Sequence, residues 1–128
     1  MKVAIIGTGS LGQSIAKGLL SKKVVSSLYL TKRNTASLDV FKRNKEVVLT
    51  SDNGLAIENS DIIIFAVQPK HLSKILESVK YALKKTQLVI SVATGYSIGK
   101  IENTIGAKHA IVRAMPNTAA SVRQSMTC

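Results

Sequence analysis

The chain opens Met1-Lys2-Val3-Ala4-Ile5-Ile6-Gly7-Thr8-Gly9-Ser10-Leu11-Gly12-Gln13-Ser14-Ile15-Ala16: a short apolar run, three glycines spaced G-x-G-x-x-G, then residues of helical period. Met1 to Ile6 reads as a strand, and Leu11, Ile15, Leu19 and Leu20 fall on one helix face. Between strand and helix the glycines have a mechanical purpose. Gly7 permits the tight turn, Gly9 removes a side chain where a pyrophosphate must approach, and Gly12 lets helix and strand pack closely. The helix amino terminus adds free N–H groups and the positive end of a dipole. The plain alternative is an ordinary glycine-rich turn; the flanking strand and amphipathic helix favour dinucleotide binding by Gly7, Thr8, Gly9, Ser10, Leu11 and Gly12.

The same alternation continues outward. Further strands are expected at Ser27 to Leu30, Val47 to Leu49, Ile62 to Val67, Leu88 to Val92 and Ala110 to Val112. Between them lie a weak helical signal at Ser37 to Asn44, a short polar helix near Gly54 to Asn59, a clean amphipathic helix through Leu72, Ile75, Leu76, Val79 and Leu83, and a short helix near Ser97 to Ile105. Ile62-Ile63-Ile64-Phe65-Ala66-Val67 has no polar alternation, as in a strand buried on both faces of a parallel sheet. The series predicts an α/β, Rossmann-like, doubly wound parallel sheet forming a single domain over residues 1–128, with helices on both faces.

An acid about 20 residues past the glycines would hold the ribose 2′-hydroxyl of NAD. Here the chain reads Leu30-Thr31-Lys32-Arg33-Asn34, two cations and no carboxylate. An arginine fork and a lysine point charge suit a 2′-phosphate, so NADP(H) is the preferred cofactor, with NAD(H) as the alternative; the two cations could also simply decorate a turn. Ala66-Val67-Gln68-Pro69 and Ala93-Thr94-Gly95 follow later strands, at the edge where open α/β sheets bind ligands. Proline and glycine there equally serve as punctuation. His71 and His109 read as exposed or capping residues. No cluster has metal-ligand spacing and no nucleophile has an evident base, so no metal site and no catalytic side chain are expected, and the chemistry falls to the cofactor.

Bulk composition narrows the class. The 128 residues are 45% hydrophobic, enough for one core, and no apolar stretch approaches the roughly 20 residues that span a bilayer. No signal-peptide core precedes Gly7, and the lone Cys128 has no disulfide partner, so a cytoplasmic protein is expected. Eighteen Lys and Arg against seven Asp and Glu give +11. The cations are dispersed and aromatics make up 4%, which speaks against a nucleic-acid surface.

Six segments together resemble pyrroline-5-carboxylate reductase: Ile6 to Gly12 with Ala16 to Leu19, Asn53 before the third helix, Asp61 to Pro69, Ser91 to Gly95, and Met115-Pro116-Asn117-Thr118. In that family an amino-terminal domain binds NAD(P)H, and hydride passes to the C=N carbon of 1-pyrroline-5-carboxylate, giving L-proline. The resemblance implies that Gly7 to Gly12 hold the pyrophosphate, Thr31, Lys32 and Arg33 the 2′-phosphate end, and Asn53 the adenosine side. Ala66, Val67, Gln68 and Pro69 with Ala93, Thr94 and Gly95 would flank the nicotinamide, and Met115, Pro116, Asn117 and Thr118 the substrate. Gln68 stands where the family usually has lysine, and Ala119 where it usually has proline. The family continues into a helical domain that forms the homo-oligomer and supplies most substrate contacts. These 128 residues are accordingly expected to be the cofactor-binding part, inactive alone, with self-association or disorder after Thr118. The other readings are a β-hydroxyacid dehydrogenase, an F420-dependent NADP reductase, and a non-catalytic NADP-binding module.

Overall fold

A computed structural model describes residues 1–106 and 109–114. Strand β1 (Lys2–Ile6) leads into helix α1 (Ser10–Lys22), then β2 (Ser27–Thr31), a 3-10 turn (Thr35–Phe41), β3 (Val47–Thr50), α2 (Asn53–Glu58), β4 (Ile62–Phe65), α3 (Pro69–Val79), β5 (Leu88–Ser91), α4 (Ile98–Ile105) and β6 (Ala110–Arg113). The six strands form one sheet in the order β3-β2-β1-β4-β5-β6, every pair parallel. This is the doubly wound dinucleotide-fold order, as expected.

Side-chain alternation explains the two covered faces. Val3 and Ile5 of β1 pack with Ile15 and Ala16 of α1 and with Leu38 and Phe41 of the 3-10 turn. Ala4 and Ile6 point the other way, into Ala56 and Ile57 of α2, Leu72 and Leu76 of α3 and Ile101 of α4. β4 divides likewise, Ile63 and Phe65 to one face and Ile62 and Ile64 to the other, so its unbroken apolar run is the signature of burial on both sides.

Two element readings are corrected. β4 ends at Phe65, not Val67: Ala66 N still donates to Ile6 O at 2.9 Å, but the chain then turns, and Pro69, lacking an N–H, takes the first position of α3. The weak helical signal at 37–44 is a 3-10 turn over Thr35–Phe41, begun by Asn34 Oδ1 accepting from Ala36 N at 3.0 Å. The expectations for Met115 to Thr118 and for the chain beyond lie outside the described residues.

Phe65 is fully buried at the carboxyl end of β4, beneath the loop that follows it. Phe65→Ala is expected to lower the unfolding free energy by about 3–5 kcal/mol, read from denaturant titration by circular dichroism. A loss below about 1 kcal/mol would show that this part of the core collapses around the deletion.

Candidate functional site

Because every strand is parallel, every following loop emerges on the same edge. β1 is hydrogen-bonded to β2 on one side and β4 on the other, which makes it the point where strand order reverses and a crevice opens. Backbone bonds continue one or two residues beyond the strands and set the loops side by side. Thr8 N donates to Thr31 O at 2.7 Å, Ala66 N to Ile6 O at 2.9 Å, Val92 N to Phe65 O at 3.2 Å, and Ala114 N to Ser91 O at 2.9 Å.

The glycine turn has three environments. Gly7 has φ +81°, and a Cβ there would overlap Val67 Cγ1, so the loop after β4 presses directly onto the turn after β1. At Gly12 a Cβ would lie 3.1 Å from Gly7 O and 3.3 Å from Ile5 Cγ2; helix and strand are as close as this position allows. Above Gly9 nothing lies within 4 Å. The first bond into α1 runs from Gln13 N to Gly9 O at 2.9 Å, leaving the amides of Ser10, Leu11 and Gly12 without an intrahelical acceptor. Gly9 caps the helix with no side-chain bond, so these donors face an open space suited to an anion. Thr8 is fully buried and its hydroxyl donates to Ile5 O at 3.3 Å, leaving only its main chain to shape the site.

The segment after β2 divides in the same manner. Thr31 is only 1% exposed; its hydroxyl accepts from Gly7 N at 3.1 Å and its carbonyl from Thr8 N. Burial thus turns Thr31 away from a direct contact with a 2′-phosphate and toward the glycine turn. Lys32 is half-buried, with Nζ donating to Ser37 Oγ at 2.8 Å, and Arg33 is exposed. Among the described residues neither has a carboxylate within 4 Å; the two ion pairs, Lys42–Asp39 and Lys80–Glu77, lie elsewhere. Glu77 holds the Lys80 ammonium above its usual range, by hydrogen bond and by charge, at the far end of α3 from Gln68.

Asn53 is half-buried at the first position of α2, past β3, where Asp52 caps the helix by accepting from Leu55 N at 3.1 Å. Ala66 and Val67 are half-buried, while Gln68 and Pro69 are exposed and the Gln68 side chain makes no cap bond. Ala93 is buried, but Thr94 and Gly95 are exposed, and Gly95 has φ +79° with nothing within 4 Å of a Cβ. Sequence reasoning missed two hydroxyls here. Ser37 steadies Lys32, and buried Ser91 accepts from Ala93 N at 3.3 Å. A serine closing the otherwise apolar run Leu88-Val89-Ile90-Ser91 was the available signal for the second.

Elsewhere the surface offers less. Hollows lie between α1 and the 3-10 turn, beside Leu20 and Phe41, and at the amino edge of the sheet, beside Gln87. Buried Gln87 there donates to Ile57 O and Ser60 O at 2.7 and 2.8 Å, a structural clasp. Among the described residues no group of three His, Cys, Asp or Glu is gathered for a metal, and no helix is long and apolar enough to cross a membrane. His71 is exposed; His109 departs from expectation in being half-buried, with a buried Nδ1 that has no partner among the described residues.

The family described as NADP oxidoreductase, coenzyme F420-dependent, matches residues 2–95. Pyrroline-5-carboxylate reductase 1 of Dictyostelium discoideum is 41% identical over 98% of this chain and 23% of its own length. A solved pyrroline-5-carboxylate reductase from Coxiella burnetii superposes with a TM-score of 0.86 at 36% identity, covering 95% of this chain and 46% of that one. A Plasmodium falciparum pyrroline carboxylate reductase, solved with NADP bound, has a TM-score of 0.78 at 29% identity, covering 92% and 43%. The chain spans 23% to 48% of the length of the curated relatives it matches.

Gly7 and Gly9 separate packing from ligand space. Gly7→Ala is expected to lower stability by about 2–4 kcal/mol, from left-handed strain and the overlap with Val67. Gly9→Ala should leave it unchanged or raise it by about 0.5 kcal/mol, since its φ and ψ of −84° and −154° suit alanine and nothing is displaced. Parallel thermal melts check both; equal losses would mean that the space over Gly9 is filled.

Proposed function

The chain belongs to the NADP oxidoreductase, coenzyme F420-dependent, family, and from that premise we propose that it is the NADPH-binding part of a pyrroline-5-carboxylate reductase. The observation that carries the cofactor is the carboxyl edge itself. Three amides without an intrahelical acceptor open under a bare Gly9, beside two cations that no carboxylate among the described residues neutralises. The relatives named above, matched along almost the whole chain, support the reaction.

When bound, the reduced nicotinamide supplies a hydride to the imine carbon of 1-pyrroline-5-carboxylate, and protonation at nitrogen completes L-proline. The chain's residues bind and orient. Ser10, Leu11 and Gly12 amides donate to the pyrophosphate. Arg33 grips the 2′-phosphate with its fork and Lys32, steadied by Ser37, adds charge. Asn53 lies on the adenosine side. Ala66 to Pro69 and Ala93 to Gly95 wall the nicotinamide, where small side chains let a flat ring reach the main chain. Gln68, exposed at the head of α3, brings a neutral amide to a position where lysine would bring charge. Met115 to Thr118 complete the substrate side in this proposal. Groups that bind the imine and its carboxylate are assigned to a following helical domain, through which the whole protein is a homo-oligomer. The binding part alone therefore holds NADPH without turnover.

Calorimetric titration is expected to show NADPH binding more tightly than NADH, with the difference shrinking as salt rises. Arg33→Ala should weaken NADPH by roughly tenfold or more and leave NADH nearly unchanged. Gly9→Ala should lose both nucleotides while melting like the parent. Equal affinity for both nucleotides would remove the 2′-phosphate assignment; reduction of F420 instead of the imine by the whole protein would replace the substrate.

A further inference from the structure

We propose that Thr31 is a positioning residue whose hydroxyl and carbonyl clasp the glycine turn, locking the pyrophosphate-binding amides and the cations Lys32 and Arg33 into one rigid unit. The clasp stands on geometry; the ligand it serves rests on the NADPH reading above. Gly7 N donates to Thr31 Oγ1 at 3.1 Å, the only hydrogen bond that amide makes among the described residues. Thr8 N donates to Thr31 O at 2.7 Å. Both bonds reach across to a residue more than 20 positions later, at 1% exposure, with Thr8 fully buried beneath.

The chemistry explains why a hydroxyl sits there. Pairing of β1 with β2 ends at Ile5 and Leu30, and among the described residues no main-chain carbonyl accepts from the Gly7 N–H. A valine would fill the same volume at the end of β2 but strand that donor in a partly buried place, at the full cost of an unmade hydrogen bond. Position then does the rest. Ser10, Leu11 and Gly12 follow the clasped residues on one side, and Lys32 and Arg33 follow Thr31 directly on the other. One residue therefore sets the distance between the donors for the two phosphate groups, and a ligand meeting both finds them already spaced.

The consequence differs from that of the cations. Loss of the Thr31 hydroxyl loosens the turn that every dinucleotide uses and its spacing to the cations, so both nucleotides should weaken, NADPH at least as much as NADH; loss of Arg33 affects NADPH alone. The test is calorimetry with NADPH and NADH on the unsubstituted chain, Thr31→Val and Thr31→Ser, together with ligand-free hydrogen exchange at the Gly7 amide by NMR. Thr31→Val is expected to weaken both nucleotides by roughly tenfold, NADPH at least as much as NADH, and to speed Gly7 exchange, while Thr31→Ser restores both. If Thr31→Val does not fold, Thr31→Ala removes the hydroxyl and is read the same way. Parent-like binding by the hydroxyl-free variant, a loss confined to NADPH, or a Thr31→Ser protein that behaves like Thr31→Val would overturn the proposal. Failure of the unsubstituted chain to bind either nucleotide overturns the cofactor reading instead; Gly7 exchange then decides the clasp, and an unchanged rate without the hydroxyl rejects it.

Discussion

The carboxyl edge depends on one missing side chain. Because Gly7 has no Cβ, Val67 can lie against its backbone, and the loops after β1 and β4 close on each other across the point where strand order reverses. Any other residue would hold these loops apart and would not easily adopt φ +81°. From this contact the rest follows outward. Gly12 sits against Gly7 O, which brings α1 down on β1 and aims its first amides over Gly9; Ala66, bonded to Ile6 O, starts the turn that Pro69 ends.

Stiffness beneath that edge comes from burial on both faces of the central strands. β1 and β4 send alternate side chains into two separate clusters, so neither strand can slip by one residue without exchanging its entire packing. The loops inherit this register. A site of mostly small residues and main-chain donors has no large side chains to adjust, and its precision must come from the scaffold.

Charge at the edge is arranged by subtraction. Asp52 caps α2, and among the described residues no carboxylate lies within 4 Å of Lys32 or Arg33, although the chain carries seven acids. An excess of eleven positive charges says little by itself, since lysines are spread over the surface. What carries meaning is where two of them lack a neutralising neighbour, at the end of a strand beside an anion-shaped turn.

Sequence alone determined the alternation of strands and helices, the parallel sheet, the tight turn at Gly7 and the close packing at Gly12, because these are local: apolar period, chain punctuation and missing side chains are legible residue by residue. It also located Lys32 and Arg33 by their distance from the glycines. It overran β4 through Val67, since an apolar run does not show where a neighbouring strand stops pairing. Thr31 was read as a phosphate contact because it adjoins the cations; only the parallel pairing of β1 with β2, which brings its hydroxyl to Gly7 N, reveals that it faces the turn. The roles of Ser37 and Ser91 are decided by local backbone geometry instead: each hydroxyl acquires its role from the partner that the turn brings to it, Lys32 Nζ for one and Ala93 N for the other.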